Sequence, residues 1–75
     1  MGGLIKRSFT LAGHRTSVAL EPAFWDALVR LAESRGQTLS ALIATADAAR
    51  EPDSPLASVL RVMALLTAEE HRTRS

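Results

Sequence analysis

The sequence predicts a mainly α-helical fold in which a short β segment precedes three helices. Three observations carry this prediction. Apolar residues recur with period two up to Leu20 and with helical spacing after Pro22. Gly36 and the stretch Glu51-Pro52-Asp53-Ser54-Pro55 break the helical part into three pieces. The 75 residues suffice for one domain only, so 1–75 reads as a single unit.

Residues 1–5 are expected to be mobile. In the strand region, 6–20, Lys6, Ser8 and Thr10 alternate with Arg7, Phe9 and Leu11. After Ala12-Gly13-His14, Arg15, Ser17 and Ala19 alternate with Thr16, Val18 and Leu20. Each run reads as a half-buried strand, with Phe9 and Leu11 inward. Gly13 marks either a tight turn between the two or a break. Pro22 suits the first position of a helix, where its missing N–H costs nothing, and Glu21 complements the positive helix end. The first helix is placed at 22–35, with Phe24, Leu28, Leu31 and Ala32 on its apolar stripe and Trp25 beside it. Gly36 ends it.

Thr38 is the expected N-cap of a second helix at 39–50, whose stripe is Leu39, Leu42, Ile43 and Ala46. Ser54 is expected to cap a third helix at 55–69, with Pro55 in its first turn and Leu56, Val59, Leu60, Met63 and Leu66 inward. Val29, Val62 and Leu65 lie off the main stripes. Either the third helix packs on the first and covers Val29, or these residues form a docking surface for a partner protein. The polar tail, Glu70 to Ser75, is expected to fray.

Composition narrows the function. The absence of Cys excludes disulfides, thiol nucleophiles and Cys-based zinc sites. His14 and His71 lie far apart, so no metal site is expected. The longest apolar run, Val62 to Leu66, is far short of the ~20 residues of a membrane span, and nothing reads as a secretory signal. A cytoplasmic protein is expected. No nucleophile elbow, phosphate loop or zinc-binding helix motif is present, so neither an enzyme, a catalytic residue nor a cofactor is predicted. Burial in so short a chain barely offsets the entropy of ordering it, which predicts association, most simply a dimer. Nine Lys and Arg face eight Asp and Glu overall. The first twenty residues, however, hold Lys6, Arg7, His14 and Arg15 and no acid, so a polyanion would be met there.

Arg15-Thr16-Ser17-Val18-Ala19-Leu20, followed by Pro22, Phe24, Leu28, Leu31-Ala32, Gly36, Thr38, Ser40 and Leu42-Ile43, resembles the ribbon-helix-helix family of bacterial DNA-binding proteins (the MetJ/Arc type). With the His14–Ser17 stretch and the Phe24-Trp25 pair, the whole chain resembles a short bacterial subfamily of that fold. The resemblance implies a homodimer in which one strand of each protomer pairs antiparallel with its mate. That intermolecular ribbon would enter the major groove of duplex DNA, and 6–11 would add a strand beside it, lie over the dimer, or itself be the central ribbon in place of 15–20. Val18, Leu20, Phe24, Trp25, Leu28, Leu31, Leu42 and Ile43 would form the shared dimer core. Arg15 would fork onto guanine, Ser17 would bond to base edges and Ala19 would touch a thymine methyl. Thr38, Leu39 and Ser40 at the start of the second helix would hold a phosphate, joined by Lys6 and Arg7. The function implied is transcriptional regulation, with higher assembly on DNA open to it. For Arg15 and Ser17 the plain alternative is a solvated strand face, and for Lys6 and Arg7 a solubilising segment. The alternative function is a protein-interaction module of the antitoxin kind, with a protein partner bound through the third helix; near-neutral charge and Ala19 favour it.

Overall fold

The change of period at Glu21 is a change of structure. The computed structural model describes residues 3–74, with side chains through Glu69. Two strands, β1 (Ile5–Leu11) and β2 (His14–Leu20), precede three helices, α1 (Pro22–Ser34), α2 (Leu39–Ala49) and α3 (Leu56–Arg74). Of the segment expected to be mobile, Ile5 already belongs to β1, while Met1 and Gly2 lie outside the described residues. α3 continues through most of the stretch expected to fray, and Ser75 lies outside the described residues.

β1 and β2 pair antiparallel within the chain, from Ile5 opposite Leu20 to Leu11 opposite His14. The segment 6–11 is thus an added strand, and its partner is β2 of the same chain. Only Ala12 and Gly13 separate the strands, both at positive φ, 51° and 82°, as the two central residues of a type I′ hairpin turn require. Gly adopts this conformation freely, whereas an L side chain does so at a cost of about 1–2 kcal/mol. Ala12→Gly is therefore expected to raise stability by roughly 0.5–1 kcal/mol, the extra entropy of the unfolded glycine offsetting part of the relief. Urea unfolding measures this, and a destabilised variant would contradict the strained-turn account.

The helices begin and end as local chemistry directs. Pro22 lies in the first turn of α1, and the Glu21 carbonyl accepts from the Phe24 and Trp25 N–H groups at 3.0 and 3.3 Å. At the other end Gly36, at φ 67°, donates to the Glu33 carbonyl while Gln37 donates to that of Ala32. This bond pair is a Schellman closure, which needs the left-handed residue that Gly supplies. Thr38 caps α2, its Oγ1 accepting from Ala41 N–H at 3.1 Å. Arg50 braces the α2–α3 link, donating to Asp47 Oδ1 and to the Ser54 carbonyl, each at 2.9 Å. Ser54 does not cap α3. The Pro55 carbonyl accepts from Ser58 and Val59 N–H, which moves the cap position one residue on.

The inner face of the hairpin packs on the helices. Leu20, Leu28, Leu42, Ile43 and Leu60 are fully covered, and no polar or charged residue is buried among the described residues. α3 contributes Leu56, Leu60 and Ala64 to this core, with Val59 and Met63 packed against it. Leu66, expected inward, is 59 % exposed. The buried row steps by four residues, and the small Ala64 lets α3 approach α1 closely where a reading of large apolar residues favours Leu66. Trp25 is buried and Phe24 only partly so, the reverse of their expected order.

Of the residues expected to form a shared dimer core, all but Phe24 are buried within the single chain. β1 and α3 do the covering that the family resemblance assigns to a partner. Arg61 ties α3 to the start of α1, its Nε and Nη2 both donating to Glu21 Oε1 at 3.2 Å, with its guanidinium 5.8 Å from the centre of the Phe24 ring. Backbone hydrogen bonding at Glu21 itself, and then Arg61, hold the Glu21 carboxyl below its ordinary pKa, against a partial opposing desolvation.

Candidate nucleic-acid interface

Directly opposed residues in an antiparallel pair share a face, and successive residues along each strand alternate. The register therefore places Lys6 with Ala19, Ser8 with Ser17 and Thr10 with Arg15 on the outward face of the hairpin. All are exposed except Ala19, which is partly so. This face holds two cations, three hydroxyls and one methyl, with no acid and no large apolar side chain. Ser8 and Ser17 are joined through their hydroxyls at 3.0 Å, which orders the middle of the face. Lys6 and Arg15 stand toward opposite ends of it, about 13 Å apart along the strand direction at ~3.3 Å per residue. The carbonyl of Leu11 and the N–H of His14 close the turn. By alternation the backbone groups of Arg15, Ser17 and Ala19, and of Lys6, Ser8 and Thr10, then point to the two outer edges of the hairpin.

Arg7 does not join this face. It lies opposite Val18, on the side that meets the helices, with its guanidinium 5.3 Å from the centre of the Trp25 ring. Trp25 in turn donates from Nε1 to the Ile5 carbonyl at 2.8 Å and packs against Phe9, ring centres 6.0 Å apart. Arg7 is thereby part of the clasp that holds β1 on α1. The signal is present in the sequence, since Arg7 has the parity of Phe9 and Leu11. By the same parity Ser8 and Thr10, which the family resemblance does not single out, belong to the face of Arg15 and Ser17.

The start of α2 offers a second polar element. The first N–H groups of a helix have no intrahelical acceptor. Thr38 Oγ1 takes that of Ala41, and the N–H groups of Leu39 and Ser40 precede it. Thr38 and Ser40 are exposed and Leu39 partly buried. His14 is exposed at the hairpin tip. Among the described residues no cluster of three or more His, Asp or Glu could hold a metal ion, and no helix is long and apolar enough to cross a membrane.

A hairpin with one polar, cationic face precedes two helices that meet at a glycine turn, and the ribbon-helix-helix domain family matches residues 4–68. The chain belongs to the ribbon-helix-helix family. The match takes in β1, β2, α1, α2 and most of α3, so the added strand and third helix lie inside the family domain. Ribbon-helix-helix domains are in general those of DNA-binding transcription regulators, and the fold is not typically enzymatic. Comparison with curated proteins and with solved structures finds no match.

Proposed function

We propose that this ribbon-helix-helix protein is a cytoplasmic transcriptional regulator that binds duplex DNA as a homodimer. The observation that carries the reading is the outward face of the hairpin, which is exposed, cationic and free of acids. β2 leads directly into α1, as the ribbon strand of the family order does, and its outer edge is the one assigned to the partner's β2. The dimer would then present four strands in the order β1, β2, β2, β1. At ~4.8 Å between strands this sheet is about 14 Å across its outer strands, wider than the ~12 Å major groove. Only the central pair enters, bringing Arg15, Ser17 and Ala19 to the base edges. The outer strands ride over the groove walls, where Lys6 meets phosphate. Thr38, Leu39 and Ser40 hold a further phosphate. Arg7, engaged with Trp25, is left out of DNA binding.

The two kinds of interaction predict different mutant behaviour. Arg15→Ala should cost about 1–3 kcal/mol per half-site on a preferred sequence and narrow its advantage over random DNA. Lys6→Ala should weaken all sequences alike and lower the salt slope by about one for each phosphate that Lys6 neutralises. Arg7→Ala should leave that slope unchanged and lower stability. Selection of genomic fragments by the purified protein supplies the preferred sequence, and fluorescence anisotropy across salt measures the effects. Absence of DNA affinity at low salt, or an Arg15→Ala variant that binds unchanged, overturns the reading. The partly buried methyl of Ala19, which offers a base no hydrogen bond, favours a second reading as a protein-interaction module.

A further inference from the structure

α3 carries a surface that DNA recognition does not use. Because Leu56, Leu60 and Ala64 turn toward the core, the far side of the helix presents Val62, Leu65 and Leu66, exposed by 56, 58 and 59 %. Positions 62, 65 and 66 are neighbours at helical spacing, so these side chains form one ridge. Single exposed apolar residues are ordinary, whereas a contiguous group marks an interaction surface.

Apolar grooves flank the ridge. One, of about 270 Å³, runs between α3 and α1, floored by Ala23, Phe24, Ala27, Ala64 and Ala68 with Leu65 at its wall. The other, of about 420 Å³, lies between α3 and the end of α2 and includes Ala46, Ala49, Val59 and Met63. A ridge of large side chains beside a floor of alanines is complementary to a copy of itself. Turned through a twofold axis, the Leu65 of one copy meets the alanine-floored groove of the other, as ridges seat in grooves in packed helices. A net charge of +1 sets little long-range repulsion against such self-association. Local charge favours one direction. Parallel copies would bring like helix ends together and set Glu51 and Asp53, which precede α3, beside their own counterparts. Antiparallel copies oppose the helix dipoles and keep these acids apart.

We propose that two copies of this chain associate through the outward faces of α3, antiparallel about a twofold axis near Leu65. The interface is separate from the hairpin and does not rest on DNA binding. With pairing at the β2 edge as well, it joins two dimers into a tetramer; without that pairing, it makes the dimer. Sedimentation equilibrium of the full chain tests it against the double variant Leu65→Glu, Leu66→Glu, with circular dichroism showing that the variant is folded. The variant is expected to have half the wild-type mass at the same micromolar concentration. The chain lacks Cys, so Leu65→Cys supplies a second measurement. It should form a disulfide-linked pair on mild oxidation, while Glu33→Cys, exposed on α1, should not. Equal masses for wild type and the double variant, which would leave the face to a different protein, or cross-linking no greater at 65 than at 33, overturns the proposal. Loss of half the mass in a protein without DNA affinity supports this interface and refutes the DNA reading alone.

Discussion

A chain lacking residues 1–12 is expected to be unfolded at 25 °C. The deletion removes Phe9 and Leu11, 8 and 3 % exposed, and burial of each such side chain contributes about 1.5–3 kcal/mol. It also strips β2 of its only strand partner among the described residues, which leaves the ladder groups on that edge of β2 unsatisfied. Trp25 loses its acceptor at Ile5 and its ring neighbour Phe9. Together these losses are on the order of 5 kcal/mol or more, comparable with the whole stability of a small domain. Circular dichroism should show no cooperative thermal transition. A cooperative melt close to that of the full chain would mean that β1 is an accessory arm and not a part of the core. On sequence alone, this deletion asks which strand forms a dimer ribbon; the buried side chains of β1 make it a test of folding.

Trp25→Ala is expected to cost about 3–5 kcal/mol, the range for truncating a large buried aromatic. Trp25 is 2 % exposed, and three features of β1 meet on it: the Ile5 carbonyl, the Arg7 guanidinium and the Phe9 ring. Trp25→Phe keeps most of the apolar volume and loses the Nε1 donor, so it should cost about 1–2 kcal/mol, near the value of one hydrogen bond plus a small cavity. Because Trp25 is the only tryptophan, urea unfolding of both variants is followed by circular dichroism instead of indole fluorescence. Equal losses for the two variants would place the effect in the hydrogen bond and not in packing.

The elements with strong local chemistry are legible in the sequence. Pro22, Gly36 and Thr38 each act through their own backbone or side chain, and each does in the structure what its chemistry dictates. The outward face of β2 is legible too, since strand parity alone separates Arg15 and Ser17 from Val18 and Leu20. Pairing is less so. Both strands show alternation, but Ala-Gly is a weaker hairpin signal than Asn-Gly because alanine resists positive φ. Nothing in strand parity says whether a strand's partner belongs to the same chain. The same ambiguity spreads to the core. Leu28, Leu42 and Ile43 are recognisable as buried, whereas their cover by β1 and α3 depends on a tertiary approach that Ala64 permits and apolar spacing does not record. Arg7 carries two signals: its charge suggests a phosphate, while its parity places it on the side of the helices, where its guanidinium lies over the Trp25 ring.

The closed core has a kinetic consequence. When folding and pairing are one event, a subunit leaves its partner only by exposing its interior, and exchange is as slow as unfolding. Here Leu20, Leu28, Leu42, Ile43 and Leu60 stay covered by the chain's own elements. In the proposed dimer a departing subunit would keep its interior covered, so partner exchange would be governed by the lifetime of surface contacts. Old and newly made chains of such an assembly would then mix without unfolding, and its size would follow the current concentration of the protein instead of its history.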